Sequence, residues 1–558
     1  MKRILMLVLV ASFAVYTGSV AAQRPTAAGV WSGFLQVPGR EFPVTISLQN
    51  KDGDWSGTVE VPALNIANHP LSKIAVEDSG TILFAVGDGP TVPTFRGTLS
   101  SDGKTFSGEV AQGALKAPFK LTRMAGEAEA PAGDQDTNEL LSGFASASGP
   151  LAERNFLGSM FHPAIDYTAR PVNDAVAELN RKIREGEVHL KSDGEPGYLR
   201  SILDALNIPI ESQMAVFSKT SVQAPRIGPQ NPRTLFFNDS VVVGWVRGGF
   251  VELASHDPHQ GAVFYILDPK SADTPQLVRR YDCLGCHVSF NTLDVPGMLL
   301  RSVYTAPNGD AKYQFGSYIS DHRTPLEERW GGWYVTAKLN SIRHLGNAMV
   351  TDAEKPESMV TEKTLNVESL KEKFDTGAYL SSHSDIVALM VFEHQMHMVN
   401  LITRVGWEAR TARYLEEKIG KRTDDMNRVL SSNAQEFVDY LLFVDEAPLT
   451  GKIQGTSGFA ERFAAQGPRD KQGRSLRQFD LERRLMRHPC SYMIYSEAFE
   501  NLPAEAKDAI YQRMWQVLSG EERAGKYARL SIADRRAIVE ILRETKRDLP
   551  DYFGRVDQ

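Results

Sequence analysis

The residues of this chain that specify chemistry most directly are Cys283-Leu284-Gly285-Cys286-His287. Two thiols three positions apart, followed at once by an imidazole, form the attachment signature of a c-type haem. The thiols can add to the haem vinyl groups as thioethers, and the adjacent imidazole can reach the iron as an axial ligand. A bare CxxC also suits a redox dithiol or half of a zinc site, and the trailing His favours haem over both. One haem c, held covalently by Cys283 and Cys286 with His287 as proximal iron ligand, is therefore expected.

The opposite side of the iron decides the chemistry. Met or His there makes a six-coordinate electron carrier, and an open position makes a reactive haem. Met298 lies eleven residues beyond His287, and an extended chain covers about 3.3 Å per residue, so it is one candidate. A core Met is the alternative. His322, in a polar turn, is a second, with Asp321 or Glu327 to orient its ring. His344 is a weaker third. The run Ile386 to Ile402 is apolar but carries Glu393, His394, Gln395, His397 and Asn400, which are costly to bury unless each finds a partner. Glu393, His397 and Asn400 share one helical face. His394 is a further distal-ligand candidate, and His394, His397 and Glu393 are candidate acid–base groups. The order of Glu393 and the two His is not that of a zincin. A buried polar network is the competing reading of this helix.

Several elements must position these groups. Residues 23–124 read as an antiparallel β barrel or sandwich: Phe42, Val44, Ile46 and Leu48 alternate with polar or small neighbours, and Asp52-Gly53, Asp88-Gly89 and Asp102-Gly103 mark turns. Residues 125–150 are rich in Ala, Gly, Ser, Pro and acids, a linker composition. Residues 151–380 read as an α+β region carrying the motif, with a helix opened by Pro171 and strands from Thr234 to Leu267. Residues 381–558 read as mostly helical, and the last helix is started by a Ser531/Asp534 capping box. The expected fold is thus a small all-β module followed by a mixed α+β to mostly α c-type haem domain.

Residues 1–22 have the form of a secretory signal peptide: Lys2 and Arg3, an apolar run from Ile4 to Tyr16, then Val20-Ala21-Ala22. That run is shorter than the roughly 20 residues of a membrane span, and no transmembrane segment is expected in the mature chain. A retained N-terminal anchor is the rival reading. A periplasmic or otherwise exported location suits covalent haem attachment. With three cysteines, no disulfide framework is expected, and Cys490 reads as a small buried hydrophobe. The net charge of −7, with both signs scattered, gives no sign of nucleic-acid binding. The length of 558 residues implies two or three domains.

Gly29-Val30-Trp31-Ser32-Gly33 and the echoing Asp-Gly turns make the N-terminal stretch resemble the β module ahead of the catalytic domain in some exported serine hydrolases. No G-x-S-x-G elbow follows, so no hydrolase activity is implied. The rest resembles a family of exported bacterial proteins described as containing a cytochrome c domain. The resemblance rests on Phe237-Asn238-Asp239, Val243-Gly244-Trp245, the Cys283–His287 motif, Val295-Pro296-Gly297, Arg301-Ser302-Val303, Glu328 to Tyr334, Glu393-His394-Gln395 and Cys490-Ser491-Tyr492. It implies haem binding and a redox role without an assigned reaction. The leading expectation is a periplasmic monohaem electron-transfer protein with a redox partner protein or small-molecule donor or acceptor. The alternatives are a haem peroxidase or oxygenase with an open distal site, and a haem-bearing sensor or scaffold.

Overall fold

The computed structural model describes residues 26–123 and 160–554, except 38–39, 52, 62–65, 78–79, 87–91, 101–102, 113–114, 161, 268–274, 341 and 524. The expected signal peptide, the linker and the Asp88-Gly89 turn lie outside the described residues. The chain divides into two units, one of Met1–Val37 with Glu41–Ala132 and one of the remainder.

In the first unit, β1 (Gly29–Val37), β2 (Arg40–Lys51), β3 (Asp54–Val61) and β4 (Ile66–Val76) are followed by β5 (Thr81–Val86), β6 (Thr94–Leu99), β7 (Thr105–Gln112) and β8 (Leu115–Arg123). They close into an antiparallel barrel by pairing β1 with β8. The period-two alternation turns Val44, Ile46 and Leu48 inward, where they pack with Trp31, Phe84 and Phe106. Gly53, at φ +100°, supplies the left-handed residue of the two-residue turn between β2 and β3.

The spine of the second unit is a seven-stranded antiparallel sheet in the order β14-β13-β12-β11-β10-β9-β17. Its strands are β9 (Met214–Val216), β10 (Arg233–Phe237), β11 (Val241–Trp245), β12 (Glu252–Asp257), β13 (Gly261–Leu267), β14 (Leu277–Arg279) and β17 (Trp333–Tyr334); β15 (Leu300–Val303) and β16 (Ser317–Ser320) form a separate hairpin. One sheet face, with Val243, Trp245, Leu253 and Tyr265, packs on α1 (Ala175–Arg184) and α2 (Leu199–Ala205). Asp174, not Pro171, starts α1: its carboxylate accepts from the amides of Val176 and Ala177.

The other face, through Leu235, Phe237 and Val242, meets the core helices. Among these α4 spans Ile386–Ile419 and α5 Asp424–Leu441, and near the end lie α6 (Ala504–Ser519) and α7 (Ile532–Thr545); the one-turn α3 (Leu284–His287) packs instead through Leu284 in a smaller cluster with Ala262 and Phe264. Asp385 caps α4, and Gly420 ends it in the left-handed conformation. The stretch Ile386–Lys418 is long and apolar enough to cross a membrane, but 89% of its apolar window is buried inside the protein. It is the central helix of this core. The Ser531/Asp534 capping box starts α7.

The expected progression to a mostly α c-type haem domain is corrected by this architecture. After the barrel, strands and helices mix in one compact unit, and the CxxCH turn follows β14 directly. The physical reason lies in strands β10 to β13, whose buried faces on both sides demand cover. The helices after residue 381 supply that cover for one face and do not form a separate helical wrap.

Candidate functional site

The motif folds as a single turn. The amides of Cys286 and His287 both donate to the Cys283 carbonyl, each at 3.1 Å, which places the two thiols and the imidazole on one short helix. Cys283 is half-buried and Cys286 exposed; neither is in a disulfide. Burial pushes the Cys283 thiol up to about 12, with Asp282 and Glu252 adding to the effect.

The segment after the turn folds back on it. His287 Nδ1 lies 2.8 Å from the Gly297 carbonyl oxygen. A carbonyl only accepts, so Nδ1 carries the proton and Nε2 keeps its lone pair. Burial lowers the imidazole pKa, favouring the neutral ring that binds metals. The Gly297 amide returns a bond to the His287 carbonyl at 2.9 Å. Asn400, on α4, then fixes the next residue: its Oδ1 accepts from the Met298 amide at 3.0 Å, and its Nδ2 donates to the Met298 carbonyl at 2.7 Å. A Cβ at position 297 would sit 2.2 Å from Asn400 Oδ1, so this clamp requires glycine.

These groups fit a covalently held haem. Two thiols, neither in a disulfide, and a neutral imidazole with free Nε2 share one turn. Val278 and Phe290, 46% and 71% exposed, leave apolar surface close to the motif in sequence. Among the described residues no group of three or more His, Cys, Asp or Glu is placed to hold a metal ion, so the thiols and His287 do not form a zinc-type cluster.

The other candidates fall into two places. Met298 follows Gly297, whose carbonyl takes His287 Nδ1, and its half-buried side chain packs against the apolar clusters. His344 is wholly buried; its Nδ1 accepts from the Gly346 amide at 3.0 Å and its ring meets Trp330 edge-on. His322 and His394 instead find each other, Nδ1 to Nδ1 at 2.8 Å. One ring must donate and the other accept. Asp321, expected as a partner for His322, pairs with Arg323. Desolvation drives His322 well below its ordinary pKa and His394 to about 3, so both rings are neutral at pH 7.

Around this pair the α4 side chains separate. Glu393 takes Arg329 Nη1 on one oxygen and Trp330 Nε1 on the other. Burial outweighs the guanidinium and raises this carboxyl to about 8. His397 is half-buried, accepts from Arg323 Nη2 at 3.2 Å, and is held near a pKa of 4 by burial. Arg323 and Tyr440 line a polar cleft of about 300 Å³ with Gln435, Glu436, Asp439 and Asp445. Glu393, His397 and Asn400 share a face, as their spacing requires, yet each serves a different partner.

Sequence reasoning missed Ser491, whose Oγ lies 2.7 Å from His394 Nε2. Ser491, His394 and His322 line up as a Ser–His–His relay, the geometry of an activated nucleophile. Ser491 and His394 have no accessible surface and His322 only 2%, so no acyl substrate reaches the hydroxyl. The trio is a buried polar network. No protein-family model, curated protein or solved structure matches the chain.

Proposed function

We propose that this chain is an exported monohaem protein, with haem attached through Cys283 and Cys286 and ligated by His287, and that its role is electron transfer. The observation that carries this reading is the hydrogen bond from His287 Nδ1–H to the Gly297 carbonyl. It sets the tautomer and the ring orientation an axial ligand needs. Bound there, haem would supply one-electron redox chemistry. The Cys283 and Cys286 thiols would hold it as thioethers, each S–H adding across a vinyl group, sulfur to one carbon and hydrogen to the other, with no net oxidation. Gly297 and Asn400 hold the imidazole rigid. Export rests on residues 1–22.

A second reading, a haem oxidoreductase with an open sixth position, draws on the candidate ligands. His322 and His394 are engaged with each other, and Met298 packs against the apolar clusters with its backbone clamped by Asn400. In that reading His397, which contacts the cleft-lining Arg323 and Tyr440 and is less buried than His394 or Glu393, is the acid–base candidate that solvent can reach. Purification from cells able to mature c-type cytochromes, followed by visible spectroscopy, tests both. Haem retained after acid–acetone extraction is expected. A low-spin spectrum supports the carrier, a high-spin spectrum that responds to peroxide supports the oxidoreductase, and an extractable or absent chromophore overturns both.

A further inference from the structure

The sheet face that meets His287 is covered unevenly. On adjacent antiparallel strands, residues directly opposite each other share a face. One such row runs Leu235, Gly244, Glu252, Ile266 and Val278 across β10 to β14. The neighbouring row holds Val242, Ala254 and Phe264. That row is closed over: Phe264 is 5% exposed and its ring centroid lies 4.7 Å from that of His287. The first row opens progressively toward the motif, with Ile266 half-buried and Val278 46% exposed. It forms a ledge beside the imidazole, apolar at the β13–β14 end.

The other end of the ledge is charged. Glu252 engages Arg233 through Nε alone. Among the described residues neither Nη nitrogen of Arg233 donates to a protein acceptor. The pair crosses directly over Gly244, where a Cβ would meet Arg233 Nη2 and Glu252 Cγ at 2.9 Å each. Only glycine leaves room for this arrangement. Glu252 stands opposite Ile266, two positions along β13 from Phe264, whose ring packs on His287, so the ion pair and the imidazole occupy one neighbourhood.

We infer that this ledge is the second wall of the haem site: Ile266 and Val278 take the apolar edge of the macrocycle, and the Nη fork of Arg233 receives a haem propionate. A planar fork of N–H donors matches a carboxylate. The inference rests on the haem reading above and adds to it the residues that recognise the carboxylate edge. Arg233 is thus a positioning residue: it fixes the charge state and placement of a carboxylate tethered to the redox centre.

The test uses purified holoprotein of the parent, Arg233→Gln, Arg233→Lys and the double variant Arg233→Gln/Glu252→Gln. The double variant removes both charges together, so no unpaired carboxylate is left to disturb the fold. Arg247→Gln, at an exposed arginine paired with Glu195, is the control. Intact mass reports covalent haem, and the reduction potential is followed against pH. A carboxylate beside arginine has its pKa depressed by about one unit or more. In Arg233→Gln and in the double variant, the inflection of the potential–pH curve is expected to move up by about that amount. Lysine is expected to restore most of the shift, and the control to leave the curve unchanged. Variants that carry haem and superimpose on the parent curve overturn the ledge and leave the haem reading standing. A parent without covalent haem overturns both.

Discussion

Asn400→Ala is the perturbation that most directly probes how the motif is held. Asn400 is 1% exposed and bonds both backbone groups of Met298, at 3.0 and 2.7 Å. Alanine keeps the helix but leaves the Met298 amide and carbonyl without partners. Each orphaned buried group costs about 1–3 kcal/mol. Met298 is only half-buried and water can reach part of it, so the lower half of the range applies, about 3 kcal/mol for the two together. The change also frees the segment whose Gly297 carbonyl holds His287 Nδ1. Denaturant unfolding followed by circular dichroism measures the stability loss as a lower midpoint at unchanged slope. In haem-loaded protein the same variant is expected to broaden and shift the visible bands. An unchanged midpoint together with an unchanged spectrum would refute the clamp.

Further outcomes follow from the buried cluster. Glu393 has its folded pKa raised to about 8, so the stability it contributes is present below its unfolded value near 4.5 and is lost as pH rises through 8. Glu393→Gln, which does not titrate, is therefore expected to gain on the parent by several kcal/mol, on the order of 4, between about pH 5 and pH 9; parallel stability–pH curves would refute this. His394 is depressed to about 3, so its contribution is present above the unfolded value near 6.5 and declines as pH falls from there toward 3. His394→Asn is expected to flatten the acid limb by about 2 kcal/mol at pH 5, and an unchanged acid limb would count against the neutral pair. Ser491, with no accessible surface, is expected to stay unlabelled by a fluorophosphonate that modifies activated serines. Labelling at Ser491, mapped by peptide mass, would show that the relay opens to substrate.

The motif was legible because its chemistry is local: two thiols and an imidazole on one turn need only five residues. The barrel was equally accessible through the alternation of Val44, Ile46 and Leu48 and the Asp-Gly turns. The expected mostly α domain fails because local periodicity shows that α4 is a helix but not what it covers. Its apolar surface in fact covers a sheet formed by residues some 150 positions earlier, a pairing no local pattern encodes. The His322–His394 contact spans 72 residues and His394–Ser491 spans 97. In sequence these appear as isolated polar side chains in apolar surroundings. The costly polar positions on α4 did signal partners, and only the fold could say that those partners were Arg329, Arg323 and Met298.

The central claim is that Cys283 and Cys286 hold a haem that His287 ligates. Intact mass under denaturing conditions, for protein exported from cells that mature c-type cytochromes, tests it most directly. The account predicts the mass of the chain plus one haem, abolished in Cys283→Ala/Cys286→Ala. A parent recovered folded at the mass of the bare polypeptide would contradict it.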